Sequence, residues 1–244
     1  MAACPRCAFS NPAGAKFCLN CGAPLAESRP VEGERRFVTV LFADVVGSTG
    51  MGEKLDPEQI AEIMNGAFSL FNAAVSRYGG IVSRLMGDAV LAIFGAPIAH
   101  EDDGERAVHA GLEIRDSARQ YAAGVARAYH VDFRVRVGIH SGLAVLAMVG
   151  DQVKTEYTAM GDTANVAARL QSVADPGTVL ISADTRHLLG NAFDLNPRVL
   201  LEVKGREAPI ETYEVTAARA TRDKQRGLDG LVSPLVGRDL ELEL

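Results

Sequence analysis

The 244-residue sequence predicts an α+β sheet domain with a small cysteine-rich segment at its N-terminus. Three observations carry that expectation: short β-branched and aromatic runs recur along the chain, two long stretches between them have helical apolar spacing, and all four cysteines fall within the first 21 residues. The length suffices for one sizeable core with appendages. Apolar content of 48% and charged content of 23% are ordinary for a globular protein. No stretch approaches the ~18 apolar residues that read as a membrane span, and the opening Met1-Ala-Ala-Cys-Pro-Arg-Cys7 lacks the pattern of a signal peptide. A cytoplasmic chain without membrane contact is therefore expected. The net charge of −6 argues against a surface that tracks nucleic acid as a whole.

Residues 1–26 read as a zinc ribbon. Cys4-Pro-Arg-Cys7 and Cys18-Leu-Asn-Cys21 are two CxxC pairs ten residues apart, a spacing that brings four thiolates around one structural Zn²⁺ with no open position. Asn11-Pro-Ala-Gly14 supplies a turn, Phe17 an aromatic to pack, and Gly22 a residue to close the second knuckle. A disulfide or redox role requires an oxidising compartment or a CxxC opening a helix of a larger α/β unit, and neither context is present. Few aromatic and basic residues in this segment make a protein partner the better expectation than nucleic acid. A polar linker, residues 27–34, follows.

The main domain is expected over residues 35–218. Arg36 to Ala43 has apolar side chains on both faces, as a buried central strand does. Asp56-Pro-Glu-Gln59 opens a helix with Asp56 as N-cap, and Ile60, Ile63, Met64, Phe68, Phe71 and Val75 continue it until Gly79-Gly80. Two short strands flank Gly87-Asp88. A second helix runs from about Asp102 to Ala123, with Ala107, Ala110, Ile114 and Tyr121 inward. In Phe133 to His140 the apolar residues alternate with Arg134, Arg136 and His140, and Ser141-Gly142 reads as a hairpin turn before a strand from Leu143 to Val149. Asp162 or Thr163 caps a helix on which Asn165 and Arg169, four apart, share a face. Strands near Val179–Ser182, Val199–Val203 and Ile210–Val215 complete the sheet. Residues 219–244 read as a linker and the start of another, ATPase-like domain, with a short docking helix as the alternative.

Asp44, in Phe42-Ala-Asp-Val-Val-Gly-Ser-Thr49, and Asp88, in Met86-Gly-Asp88, sit in apolar, strand-like surroundings. A desolvated carboxylate stays ionised only when a cation or hydrogen-bond donors compensate it. Small residues follow the first aspartate and Gly87 precedes the second, so backbone N–H groups can approach phosphate oxygens closely. The ordinary alternative places Asp44 at a helix cap and Asp88 in a hairpin turn.

Phe42-Ala-Asp44, Met86-Gly-Asp88, Arg136-Val-Gly-Ile-His140-Ser-Gly142 and Gly161-Asp-Thr-Ala-Asn165-Val-Ala-Ala-Arg169, in this order, resemble the class III adenylyl and guanylyl cyclases. The resemblance covers about Arg35 to Val215. It implies a ferredoxin-like α+β catalytic domain that acts as a head-to-tail homodimer, converting ATP to cyclic AMP and pyrophosphate in intracellular signalling. It also implies two Mg²⁺ or Mn²⁺ ions per site on Asp44, Asp88 and the Val45 carbonyl. Asn165 would orient the ribose, Arg169 would stabilise charge at the α-phosphate, Arg136 would contact phosphate, and Val46, Gly47, Ser48 and Thr49 would cradle phosphates through their backbone.

Base selection departs from the family pattern. Arg84 stands where adenine-specific members carry a lysine, and Thr158 matches its partner position. No carboxylate occupies either place to accept from the guanine N1–H and exocyclic amine, so ATP is the expected substrate and GTP the alternative. Singly, Arg136, Asn165, Arg169 and Arg84 also read as surface charges or ion-pair partners. Two other readings remain: a catalytically weak nucleotide-binding module that controls a downstream ATPase, and a chain whose working part is the ribbon. His140 is expected in packing, and His100 and His109 at the surface or in caps.

Overall fold

The computed structural model describes residues 2–3, 9–12, 18–21, 34–150, 155–198, 200–201 and 209–219, without the side chains of 2–3, 49, 147–150 and 155–160. At the N-terminus β1 (Ala2–Ala3) pairs antiparallel with β2 (Ser10–Asn11). Asn11 is buried; its amide donates to Cys18 Sγ at 3.6 Å and its Oδ1 accepts from the Leu19 N–H at 2.9 Å. Cys18 is buried and Cys21 half-buried, whereas Cys4 and Cys7 lie outside the described residues. Most of the expected linker and residues 220–244 of the tail lie outside them as well.

The main sheet has the order β4-β5-β3-β6-β8-β10-β9, with β7 pairing the far part of β6. Its centre is β3 (Glu34–Val45), which starts one residue inside the expected linker. Val38 and Val40 are buried on one face and Leu41, Ala43 and Val45 among the residues that serve the other core, so apolar residues on both sides of the strand reflect burial from both sides. A four-residue helix, α1 (Ser48–Met51), follows, then α2 (Pro57–Arg77), where the Gln59 side chain accepts from the Asp56 N–H at 3.1 Å and Pro57 opens the first turn. β4 (Ile81–Met86) and β5 (Ala89–Phe94) form the expected hairpin, turned at Gly87 with φ 66°.

Helix α3 (Asp103–Tyr129) continues past the expected stop at Ala123. Gly124 disfavours a helix by only about 1 kcal/mol. Burial of Val125 offsets this, and a bond from the Tyr129 hydroxyl to Glu62 at 2.7 Å ties the last turn to α2. The helix ends at His130, which takes the left-handed conformation with φ 56°.

The expected hairpin at Ser141-Gly142 does not exist. β6 (Val135–Gly150) runs straight through it, pairing with β3 from Glu34↔Leu146 to Val45↔Val135. Ser141 is a buried strand residue whose hydroxyl meets Thr39 Oγ1 at 2.8 Å. Gly142 leaves room for a helix: a Cβ there would lie 2.9 Å from Thr163 Oγ1. The chain instead reverses beyond Gly150 into β7 (Thr155–Met160), a strand the sequence pattern did not reveal.

Helix α4 (Asp162–Val173) is capped by Gly161, at φ 130°, rather than by Asp162 or Thr163. Thr163 is turned inward, donating to the Leu143 carbonyl at 2.7 Å. β8 (Val179–Ser182) lies parallel to β6; the short helix α5 (Ala183–Leu188), β9 (Phe193–Pro197) and β10 (Thr212–Ala218) follow. The expected strand at Val199–Val203 is represented among the described residues by one bridge, Leu201↔Ile210; 199, 202 and 203 lie outside them.

Helices α2 and α3 cover one face of the sheet over a core that includes Leu41, Ile63, Phe71, Ile114 and Ile139. On the opposite face Ala167 of α4 packs with Val38, Val40, Ile93 and Leu146. Gly138 sets that second contact, because a Cβ on it would fall 2.1 Å from the Gln171 backbone nitrogen and 2.5 Å from the Ala167 oxygen. Gly138→Ala is expected to destabilise the domain by about 3 kcal/mol or more, since backbone must move to admit it. Gly124→Ala, with nothing within 4 Å of the added Cβ, should stabilise by about 0.5–1 kcal/mol. Urea denaturation of the two variants measures both, and similar midpoints would refute the close packing of α4.

Candidate active site

The β3–β6 register places Asp44 directly opposite Arg136, and the β3–β5 register places it opposite Ala89, next to the Gly87-Asp88 turn. The Val45 N–H donates to the Asp88 carbonyl at 3.2 Å, tying the end of β3 to that turn. Asp44 and Asp88 therefore come together, as the sequence suggested, and neither caps a helix. Asp88 does occupy a hairpin turn, as the ordinary reading has it.

Asp44 is 9% exposed. Its Oδ2 accepts from Arg136 Nη2 at 2.9 Å and from Gln171 Nε2 at 2.9 Å. Burial raises the Asp44 pKa above the usual carboxylate value; the Arg136 hydrogen bond opposes this, and the adjacent Asp88 carboxylate adds to the rise. Asp88 accepts through Oδ2 from the Ser48 hydroxyl. Arg136 also donates from Nη1 to the Ser172 carbonyl at 3.2 Å, while its buried Nε has no hydrogen-bond partner among the described residues.

The turn after Asp44 is narrower in function than the sequence suggested. The Val46 N–H donates to the Arg134 carbonyl at 2.8 Å, so it cannot serve a phosphate as expected. Gly47, with φ 74°, and Ser48 lead into α1, which also contains Thr49. Arg84 is half-buried on β4, just past a bulge between Val82 and Arg84. Thr158 lies on β7 opposite Ala147, its side chain outside the described residues; β7 and β4 approach each other, which places the two positions expected to read the base on strands near one another.

Asn165 and Arg169 are exposed, whereas Thr163, Val166, Ala167, Leu170 and Gln171 bury the other side of α4. At about 100° per residue, Arg169 points roughly opposite to Gln171, and Asn165 about 120° away from it. Gln171 is the residue of α4 that reaches Asp44 in the same chain, and it lies outside the motifs that pointed to the site. The signal was available, since Gln171 lies four after Ala167 on the apolar stripe. His140 is 2% exposed and its Nδ1 lies 2.7 Å from Ser182 Oγ, a packing role as expected. His100 is exposed beside Asp103, but His109 is half-buried against Tyr78 and Phe193 rather than at the surface.

Among the described residues no three His, Cys, Asp or Glu side chains gather in a metal-ligating group. A cation between Asp44 and Asp88 would thus take two carboxylates and complete its shell from backbone, water and phosphate, as Mg²⁺ commonly does. The donor set fits: hard oxygen ligands, one of them buried and destabilised as an anion by its neighbour.

The raised Asp44 pKa has a consequence for the metal-free chain. The folded state holds this proton more tightly than the unfolded state, so the carboxylate's contribution to stability falls as pH rises from the usual value through the raised one. In EDTA at pH 7.5, Asp44→Asn is expected to raise Tm, and its advantage should shrink as pH is lowered towards 4. A lower Tm than the parent at pH 7.5 would show that the Arg136 pairing outweighs burial.

A family model described as the adenylate and guanylate cyclase catalytic domain matches residues 32–217. Adenylate cyclase 1 of Rhizobium meliloti is 32% identical over 79% of this chain and 30% of its own length. Guanylate cyclase soluble subunit beta-2 of Rattus norvegicus is 31% identical over 83% of this chain and 30% of its own. The chain thus spans under a third of these relatives. Among solved structures, the guanylyl cyclase Cya2 superposes with a TM-score of 0.74 at 28% identity, covering 79% of this chain and 98% of the other. The adenylyl cyclase CyaB from P. aeruginosa gives 0.73 at 27% identity, covering 78% and 98%. With a family model over most of its length and the same mixed sheet and helices, the chain belongs to the adenylate and guanylate cyclase catalytic-domain family.

Proposed function

We propose that this chain is an adenylate cyclase, converting ATP to 3′,5′-cyclic AMP and pyrophosphate at two sites shared across a head-to-tail homodimer. The observation that carries this reading is the division of α4. Gln171 reaches Asp44 of its own chain, while Asn165 and Arg169 face outward, where a second copy can use them. Asp44, Asp88 and the Val45 carbonyl of one chain would hold two Mg²⁺ or Mn²⁺ ions. When bound, such ions acidify the ribose 3′-hydroxyl and neutralise the triphosphate and departing pyrophosphate.

The chain's own groups do the remaining work. Asn165 from the second copy orients the ribose, and Arg169, one turn on, meets negative charge developing at the α-phosphate. Arg136 holds Asp44 and has one buried N–H still without an acceptor, which a phosphate oxygen would satisfy. The Gly47, Ser48 and Thr49 backbone borders the same space. Arg84 and Thr158 read the base. A rigid arginine fork does not replace a flexible ammonium without moving the base, and with no carboxylate at either position to accept from the guanine N1–H and exocyclic amine, adenine is favoured over guanine. Arg84 is also the observation that favours a second reading, a guanylate cyclase or a weakly active nucleotide-binding module, because both kinds of cyclase are among the relatives.

The N-terminal cysteines are proposed to hold structural Zn²⁺ through Cys4, Cys7, Cys18 and Cys21, in a ribbon that binds a protein partner. The Asn11 amide supports this, since an N–H donor on Cys18 Sγ tempers thiolate charge.

The test is an assay of purified protein with ATP and GTP in Mg²⁺ and in Mn²⁺. Cyclic AMP should dominate, and Asp44→Ala should lower the rate by at least about 100-fold, more than the loss of an outer-shell metal partner usually costs. Absence of both cyclic nucleotides from a dimeric preparation would refute the enzyme reading. Mixing equal amounts of Asp44→Ala and Arg169→Ala chains should restore about a quarter of the parent rate, one intact site in half of the dimers. No recovery would count against shared sites. Arg84→Lys is expected to raise ATP turnover relative to GTP; an unchanged ratio would remove Arg84 from base selection.

A further inference from the structure

We infer that Gln171 is a positioning residue for the divalent cation: its amide fixes the plane of the Asp44 carboxylate without adding positive charge to the site. This rests on the cyclase reading. Two donors from different elements, Arg136 of β6 and Gln171 of α4, converge on the same oxygen, Asp44 Oδ2, each at 2.9 Å. Donors on one oxygen fix the rotation of the carboxylate and leave the lone pairs of Oδ1, which neither of them engages, for a metal.

The two donors differ in electrostatic effect. Arg136 carries a full charge that opposes a cation, whereas an amide donates at no such cost. Gln171 is 8% exposed. Its backbone is seated against β6 because Gly138 lacks the Cβ that would lie 2.1 Å from the Gln171 nitrogen. Gly138 in turn pairs with Phe42, two residues before Asp44 on β3. The close helix–strand contact therefore delivers the amide to the carboxylate.

The experiment uses the full chain. Free Mn²⁺ is followed by electron paramagnetic resonance during titration, with α,β-methylene ATP present so that no turnover occurs. Gln171→Met, similar in length but without a donor, should weaken Mn²⁺ binding by about 10-fold, with the metal-free Tm close to the parent value. A purely structural role would instead lower Tm and leave the Mn²⁺ affinity of folded protein unchanged. Binding within twofold of the parent overturns the inference. Should Gln171→Met fold poorly, Gln171→Ala undergoes the same titration with the same criterion. The unaltered protein gives an independent reading: the Gln171 side-chain amide resonance should shift when Mg²⁺ is added to the α,β-methylene ATP complex, and an unmoved resonance overturns the proposal. If the parent chain binds no Mn²⁺ and makes no cyclic nucleotide, the cyclase reading falls and this inference falls with it. If the parent does both and Gln171→Met binds equally well, only the role of Gln171 is lost.

Discussion

The three-way junction at Asp44 is the constraint on which the domain's function depends. Asp44 belongs to the central strand β3, Arg136 to its neighbour β6, and Gln171 to the helix that covers both, and all three meet at one carboxylate oxygen. The junction exists because β3 and β6 are in a register that sets Asp44 opposite Arg136. A slip of one residue would send Asp44 to the opposite face, into the core beneath α2 and α3, where no partner for it is found. The same slip would move Gly138 out from under α4. Strand register, helix seating and carboxylate orientation are thus one structural fact seen at three scales.

Electrostatics at the junction are left partly uncompensated. Burial and the neighbouring Asp88 both work against ionisation of Asp44, and one guanidinium, itself shared with the Ser172 carbonyl, and one neutral amide work for it. A fold optimised for stability alone would place an apolar or neutral side chain here. Residual strain of this kind is common where a site must bind an ion that is not part of the fold, because full internal compensation would leave the ion nothing to gain.

Much of this was legible in the sequence, and the failures have a common physical origin. The central strand, the Gly87-Asp88 hairpin and helix α2 were read correctly because each depends on local pattern: apolar residues on both faces, a turn dipeptide, a capping sequence. The false hairpin at Ser141-Gly142 arose because small polar residues usually turn the chain, whereas here they are small so that α4 and Thr39 can approach. There the reason for the residues lies in neighbours distant in sequence, which local periodicity cannot express; the last turns of α3 beyond Ala123 likewise depend on tertiary burial, at Val125. Gln171 was overlooked because it sits on the apolar stripe of α4, where a single polar residue passes for a tolerated exception. It is that exception, inward-facing and hydrogen-bonded, that ties α4 to the central strand β3.

Helix α4 then has two jobs on two faces. Its inner face orients Asp44 through Gln171, and in the proposed dimer its outer face presents Asn165 and Arg169 to the other site. A rigid helix couples these faces: any rotation that withdraws Gln171 from Asp44 must also swing Arg169 by the same angle. Gly138 restrains such rotation, because the backbone of α4 at Ala167 and Gln171 rests directly on β6 with no side chain between them. A 20° turn about the helix axis would displace a side-chain tip at a radius of about 5–6 Å by roughly 2 Å. That exceeds the tolerance of a hydrogen bond and of a near-attack geometry. In the proposed dimer, the seating of α4 on Gly138 would accordingly hold metal placement in one site and substrate placement in the other to a single geometry.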